Sequence, residues 1–293
     1  MRQIQKFISR RQETFLEVGE HDIDDIQGEV FDDVLNLKIE LSALKQIQYF
    51  PNVKRLILSP GMLCPDDLHF LEGLEIEELL LEYDSDCKDA YTIDLGMFPK
   101  LRYLFARSDY DFCSANKCEH LVTLKVSHWN TCNLQSLSGA RIMALSIGSG
   151  KLKNLFGLES LSSLKSLSIS YQRNLDSLAA LNTCTQLESL EIENCNRLNF
   201  SNFPILPNLS FLALFGKREV ASLSFLDNFP RLDYCYLDIP IRDGDLSRLS
   251  GKKHSAIIQN RKNFSLQDSE LPKSKDKFHS NSIPPEWEIL PWC

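Results

Sequence analysis

Residues 164–181 read LKSLSISYQRNLDSLAAL, and their first apolar residues are spaced as L-x-x-L-x-I. The same spacing, filled by Leu, Ile, Val, Ala or Cys, occurs nine times between residues 53 and 237, at intervals of 20 to 25 residues. The copies begin at Val53, Ile76, Leu101, Leu121, Ile142, Leu164, Leu187, Leu209 and Leu232. A fixed interval in this range is typical of a solenoid, in which each repeat forms one coil.

The apolar residues of each copy alternate with other residues, as in a β-strand with one buried face. A single coil cannot bury its own leucines, so every coil must stack on the next and add a strand to a parallel sheet. Nine strands about 4.8 Å apart give a face roughly 40 Å long. Leucines three residues apart, such as Leu175, Leu178 and Leu181, follow the strands, and this spacing favours 3₁₀ turns or short helices. We therefore predict a curved α/β solenoid, with the parallel sheet on its concave face and 3₁₀ or short-helix returns on its convex face.

The segments 164–181 and 187–198 resemble the leucine-rich repeat family in its short-repeat bacterial form. The resemblance covers roughly residues 35–260, which is most of the chain. The family usually has Asn or Cys at the turn after the strand. Cys195 fits this position, whereas Gly150 and Lys217 occupy it in other repeats. The resemblance implies the fold predicted above, with less regular turns.

The sequence before the repeats predicts a cap. Residues 51–260 are expected to form the solenoid and residues 1–50 to cover its first coil in the same domain, because that coil would otherwise expose its apolar end. Residues 3–18 mix charged and apolar side chains and are a candidate helix. The alternation of Leu35, Leu37, Ile39 and Leu41 predicts a strand.

Residues 261–293 are predicted to form a C-terminal tail or cap. Residues 255–259 read as a last strand, and residues 262–282 are rich in Lys, Ser and Asp, as in a linker. The final segment contains Trp287 and Trp292. It has two interpretations, a segment that folds back on the last coil or a tail that contacts a partner.

Composition limits the classes of function. With 32 basic and 40 acidic residues the net charge is −8, which argues against nucleic acid as a partner and suits a basic protein. We expect no signal peptide and no membrane span, because the sequence has no apolar run of sufficient length. The nine cysteines are scattered, which indicates a reducing compartment and predicts a cytoplasmic location.

Two motifs carry the residue types of small-ligand sites but not their spacing. Residues 148–151 read GSGK; a phosphate loop would also need Gly at the position of Leu145 and Ser or Thr at that of Leu152, so a turn after a strand is expected. Metal-ligand residue types occur at Cys113, Cys118, His120, His128 and Cys132. Their spacing matches no compact zinc site, so neither a metal nor a cofactor is predicted.

No G-x-S-x-G motif is present, and the six histidines share no pattern. The chain is therefore predicted not to be an enzyme; a cleft with convergent His, Cys or carboxylate groups would argue otherwise. The basic residues Lys252, Lys253, Arg261 and Lys262 are interpreted as a solvated end of the solenoid rather than a nucleic-acid patch.

Strand alternation also identifies the side chains of the predicted concave face. Its centre, from Thr123 to Ser189, is small and polar, and aromatic residues flank the centre on both sides. Large aromatic residues near charges are typical anchors of protein interfaces. The predicted partner-binding residues are Tyr103, Phe105, Arg107, Glu191, Glu193, Phe211, Phe215, Tyr234, Tyr236 and Asp238. The alternative is that these aromatics pack on one another or beneath the C-terminal tail.

These features predict a non-enzymatic protein-binding solenoid. The resemblance implies, more specifically, an immunity protein that binds and neutralises a cognate bacterial toxin, for which a basic nuclease is a suitable candidate. An effector or scaffold that binds a host or regulatory protein is the alternative. The sequence does not indicate the oligomeric state.

Overall fold

The computed structural model describes residues 6–8, 14–26, 28–59, 65–82, 91–106, 110–258 and 261–275. These residues fall in two compact units. The first unit contains residues up to 130 together with 139–141, and the second contains residues 131–138 and those from 142 onward. Across the described ranges, no helix combines the length and apolarity that a membrane crossing requires.

Within its described residues, the first unit contains nine strands and one short helix, α1 (Ile23–Ile26). The strands are β1 Lys6–Ile8, β2 Thr14–Val18, β3 Asn36–Ile39, β4 Arg55–Leu58, β5 Glu78–Leu81, β6 Tyr91–Asp94, β7 Tyr103–Ala106, β8 Tyr110–Cys113 and β9 Thr123–Trp129. Strands β2, β3, β4, β5, β7 and β9 pair in this order, all in parallel, and β1 is antiparallel to β2. Strands β6 and β8 form a separate parallel pair.

The described part of the second unit contains six strands, each parallel to the next. They are β10 Ala144–Gly150, β11 Ser166–Ser170, β12 Ser189–Glu193, β13 Phe211–Phe215, β14 Tyr234–Asp238 and β15 His254–Ile257. The register places equivalent repeat positions side by side, for example Leu167 beside Leu190 and Ile169 beside Ile192. The predicted leucine-rich repeat solenoid, with one parallel strand in every repeat, is confirmed.

The repeat leucines form the core because alternate side chains of every strand point into the coil. Leu167, Leu190, Leu212 and Cys235 are all 0% exposed. Burying a side chain of this size stabilises the fold by about 1.5–3 kcal/mol. Cys235 therefore serves as an apolar core residue in a leucine position.

The return segments are 3₁₀ turns, as their leucine spacing predicts. Leu175 and Leu181 are fully buried, and Leu178 is 5% exposed. In the first unit the 3₁₀ segments are Glu20–Asp22, Leu41–Tyr49, Pro65–Leu71, Leu95–Met97 and Ala115–Lys117. In the second they are Gln135–Leu137, Leu158–Ser160, Ala179–Thr183, Phe200–Asn202, Ser224–Asn228, Ser247–Leu249 and Asp268–Glu270.

A buried glutamine replaces the expected turn residue in one repeat. Gln172 is 0% exposed, accepts a hydrogen bond from the Leu152 N–H at 3.1 Å and donates one to the Gly148 carbonyl. It thus joins the backbone of its own coil to that of the preceding coil. Cys195, the turn residue identified from the sequence, makes a weaker contact, with Sγ 3.5 Å from the Glu193 carbonyl.

The helix expected within residues 3–18 is wrong for the described part, which forms β1 and β2. Strand β2 pairs with β3, whose predicted strand is confirmed, and Leu16 lies beside Leu37. Phe15 and Val18 are buried. Pairing decides the conformation because β3 would otherwise present unpaired backbone groups along its edge.

Residues 262–275, part of the segment 262–282 whose composition suggests a linker, pack against the last strand. The predicted last strand is present as β15, and the following segment packs against it, with Phe264 and Leu271 buried. The Ser255 N–H donates to the Pro272 carbonyl at 2.9 Å, and the Ile257 N–H donates to Asp268 Oδ1 at 2.8 Å. This segment therefore covers the edge of the sheet. Trp287 and Trp292 lie outside the described residues.

Candidate functional site

The candidate site lies on the sheet face of the second unit opposite the leucine core, which we call the open face. Strand register arranges its side chains in three rows. The rows are Ser189–Phe211–Tyr234–His254, Glu191–Ala213–Tyr236–Ala256 and Glu193–Phe215–Asp238. The predicted residues from Glu191 to Asp238 are therefore brought together on three adjacent strands.

Four rings on this face form a continuous group, which we call the ring cluster (Phe211, Tyr234, Tyr236 and His254). The Tyr236 ring lies 5.4 Å from the Phe211 ring and 5.3 Å from the His254 ring, measured between centroids. Tyr234 stacks on His254 at 6.4 Å. All four side chains are half-buried, so they pack on one another and still present surface to solvent.

His254 is a member of the ring cluster that the sequence interpretation missed. It begins β15 and lies beside Tyr234 in the register. Its Nδ1 atom is 3.2 Å from the Ser274 carbonyl oxygen. Extending the alternation of the Tyr234 row by one strand would have identified this residue.

The Tyr236 hydroxyl stays protonated at neutral pH. Burial raises the pKa of Tyr236, and the neighbouring Tyr234 adds to the effect. A neutral phenol at this position offers a hydrogen-bond donor and an aromatic surface, both of which are common in protein interfaces.

Carboxylates share the open face with the aromatic residues. Glu191 is next to Ala213, and Phe215 lies between Glu193 and Asp238. Glu193 Oε1 accepts hydrogen bonds from the Tyr171 hydroxyl at 2.6 Å and from Asn194 Nδ2 at 3.2 Å. The bond to Glu193 raises the pKa of Tyr171. One carboxylate of the open face is therefore held in a defined orientation.

A groove of about 440 Å³ lies at the carboxyl ends of β12, β13 and β14. Its strand residues are Glu193, Phe215 and Asp238. The rest of its lining consists of Asn194, Gly216, Lys217, Pro240 and Arg261. Acidic and aromatic side chains of the open face therefore border an indentation that can accept a side chain of a partner.

The other predicted aromatic flank lies in the first unit and is largely buried. Tyr103 is 6% exposed and Phe105 is 8% exposed. The guanidinium carbon of Arg102 lies 5.1 Å from the centre of the Tyr103 ring. Arg107 lies outside the described residues. Since Tyr103 and Phe105 present little surface, their role in partner binding stays a prediction.

Residues 148–151 show why the phosphate-loop pattern is incomplete. Strand β10 continues to Gly150, and the side chain of Gln172 donates a hydrogen bond to the Gly148 carbonyl. Leu145 and Leu152 are core residues, exposed by 1% and 0%. The glycines therefore belong to the sheet and not to a loop around a ligand.

The Cys and His residues considered for a metal differ in environment. Cys118 is buried, its thiol donates to the Phe98 carbonyl at 3.2 Å, and burial raises its pKa to about 11. His120, His128 and Cys132 are exposed. Among the residues that the structure describes, no three or more His, Cys, Asp or Glu side chains are grouped to hold a metal ion.

Comparison with known proteins gives distant structural likenesses only. An internalin, inlF, of Listeria monocytogenes is similar with a TM-score of 0.49 and 15% identity, covering 84% of this chain and 73% of that chain. A second internalin of the same species gives a TM-score of 0.42 and 19% identity, with 60% and 75% covered. The functional domain of InlJ from Listeria monocytogenes, described as including a cysteine ladder, gives 0.34 and 16%, with 76% and 62% covered.

Neither a protein-family model nor a curated protein sequence matches this chain. The leucine-rich repeat fold accordingly follows from the strand register and from the buried repeat positions.

Proposed function

We propose that this protein is a non-enzymatic, protein-binding solenoid whose open face binds a basic protein. The observation that carries the proposal is the ring cluster on the same sheet face as Glu191, Glu193 and Asp238. Half-buried aromatic rings supply apolar contact area, and adjacent carboxylates select a partner with Lys or Arg. Loss of one central aromatic anchor typically costs about 2 kcal/mol or more, which is roughly thirtyfold in affinity.

More specifically, we propose that it acts in the cytoplasm as an immunity protein, which binds a cognate bacterial toxin and occludes its active domain. The net charge of −8 complements a basic toxin such as a nuclease and favours rapid association. The resemblance to short-repeat bacterial leucine-rich repeat proteins is the reason for preferring this role. We expect no nucleic acid, membrane or cofactor to take part.

Co-purification tests the binding proposal. The wild-type chain is the bait in two experiments. In the first it captures proteins from a lysate of its native host, which mass spectrometry identifies; in the second it is co-purified with the product of the adjacent upstream gene. We expect Phe211→Ala/Tyr236→Ala to lose the partner. Phe156→Ala/Ile205→Ala is the matched control, because both of these side chains are exposed but lie in return segments.

A growth assay tests the immunity role. The captured protein is expressed in a sensitive host with the wild-type chain or the double variant. We expect protection by the wild-type chain and toxicity with Phe211→Ala/Tyr236→Ala. Capture of a protein that is not toxic would favour the alternative role, an effector or scaffold. Binding that survives the double variant in a folded protein would place the interface elsewhere.

A further inference from the structure

The groove at the carboxyl ends of β12, β13 and β14 combines a ring with a carboxylate on each side. Phe215 is in register with Glu193 on one neighbouring strand and with Asp238 on the other. Neighbouring strands lie about 4.8 Å apart, so the Cα atoms of the two acids are separated by roughly 10 Å. We propose that this groove binds one arginine side chain of the protein partner. The inference rests on the proposed protein-binding function and specifies the partner's chemistry.

An arginine matches this arrangement in both shape and charge. Its guanidinium group is planar, stacks on aromatic rings and donates paired hydrogen bonds to carboxylates. The plane would lie on Phe215, and the N–H groups would point towards Glu193 and Asp238. A cation over an aromatic face gains further attraction when water is excluded.

Glu193 is prepared for this contact before the partner arrives. Its hydrogen bonds from Tyr171 and Asn194 both end on Oε1, which leaves Oε2 as an acceptor for the guanidinium group. Tyr171 and Asn194 have positive φ values of 55° and 52°, so the backbone after β11 and β12 turns in the same way. Pre-orientation reduces the entropy that binding would otherwise cost.

Two cations at the rim of the groove allow a test of whether the groove binds a positive or a negative group. Lys217 and Arg261 line the groove, and both are exposed. Their charges oppose entry of an arginine, whereas the carboxylates on the strands attract it. Removing Lys217 should therefore strengthen arginine binding. A groove that bound an anion would respond in the opposite direction.

Arginine is preferred over lysine because of the ring. Lysine is a compact, strongly hydrated point charge that neither stacks nor forms paired hydrogen bonds. A site that used only the charges of Glu193 and Asp238 would accept both residues equally. Comparison of the two cations therefore separates a shaped site from a general attraction to an acidic protein.

The experiment measures fluorescence anisotropy with the full chain and fluorescein-labelled tetra-arginine, tetra-lysine and tetra-glutamate peptides. We expect tetra-arginine to bind most tightly. Asp238→Asn and Glu193→Gln should each weaken its binding about tenfold, as expected for loss of one charge-assisted contact. Lys217→Ala should tighten it severalfold, and tetra-glutamate should not bind. Circular dichroism confirms that each variant is folded.

The matched controls are Asp176→Asn and Glu159→Gln, which remove the same charges at exposed positions in return segments. We expect them to change tetra-arginine binding less than twofold. Equal losses in controls and groove variants, equal binding of tetra-lysine, or weaker binding by Lys217→Ala would each overturn the arginine site. The peptide assay needs no partner. If tetra-arginine does not bind but the wild-type chain captures a partner, only the arginine site is rejected. If the wild-type chain captures no partner, the proposed function is rejected.

Discussion

The ring of Tyr236 on β14 stacks on the imidazole of His254 on β15, with 5.3 Å between centroids and 26° between planes. His254 also lies within 3.2 Å of the Ser274 carbonyl through Nδ1. The same histidine therefore belongs to the ring cluster and contacts the segment that covers the edge of the sheet. The ring cluster and the segment 261–275 are consequently packed together in the second unit.

The first prediction concerns Tyr236. Tyr236→Ala removes the ring that joins Phe211 to His254 and should weaken partner binding at least tenfold, as for an interface anchor. Tyr236→Phe keeps the stacked ring and should retain most of the affinity. Titration calorimetry with the captured partner measures both variants. Equal affinity for the alanine variant and the wild-type chain would show that the ring cluster is not the anchor.

The second prediction concerns Gln172. Gln172→Ala leaves the Gly148 carbonyl and the Leu152 N–H without their buried partner, which should lower the free energy of unfolding by about 2–4 kcal/mol. Urea unfolding followed by circular dichroism measures the change. Arg173→Ala is the control, since Arg173 is the exposed neighbour and should change stability by about 0.5 kcal/mol or less. A similar small change at Gln172 would contradict a structural role for its side chain.

The third prediction concerns the buried thiols. Burial raises the pKa of Cys118 and Cys195 to about 11 and that of Cys235 to about 12. At pH 8 in the native state, these three thiols should resist maleimide labelling while the exposed Cys132 reacts. Peptide mass mapping distinguishes the four sites. Rapid native labelling of Cys235 would show that the repeat core opens readily.

The same thiols predict how stability depends on alkaline pH. Unfolded thiols ionise near pH 9.0, the ordinary value, and the folded ones at higher pH. Their contribution is therefore fully present below pH 9 and is lost as the pH rises through the folded pKa values. Urea midpoints measured from pH 8 to pH 11 should fall. Cys235→Ala, with one ionisable core thiol fewer, should show a shallower decline.

The fourth prediction concerns Asp268 in the segment that packs against β15. Burial by itself raises the pKa of Asp268, but the bonds from Lys273 and the Ile257 N–H, with the nearby positive charges, lower it below its ordinary value of 3.8. A carboxyl group shifted downwards stabilises the fold above its unfolded pKa, and this contribution disappears as the pH falls through the folded value. At pH 7 the carboxylate is ionised and accepts the Ile257 N–H. Asp268→Ala removes this acceptor and should speed amide hydrogen exchange at Ile257. Unchanged exchange would show that the carboxylate does not hold this segment against β15.

The repeat and its strand register were predictable from sequence because alternation and interval are local properties of the chain. Leu167, Leu190 and Leu212 occupy the core positions that their spacing predicts. Gln172 was not predictable as a turn residue, because the backbone groups that its amide bonds, at Gly148 and Leu152, belong to the neighbouring coil. Residues 262–275 have a linker composition, and only contact with β15 gives Phe264 and Leu271 a buried place.

Sequence by itself determined that the chain folds as a leucine-rich repeat solenoid and which side chains alternate with the core leucines. The tertiary structure alone decided which of those side chains present surface. Phe211 and Tyr236 are half-buried in a shared stack, whereas Tyr103 and Phe105 have the same alternation but are almost covered. Alternation specifies the direction of a side chain from its own strand, but exposure depends on the neighbours that other coils and loops place around it.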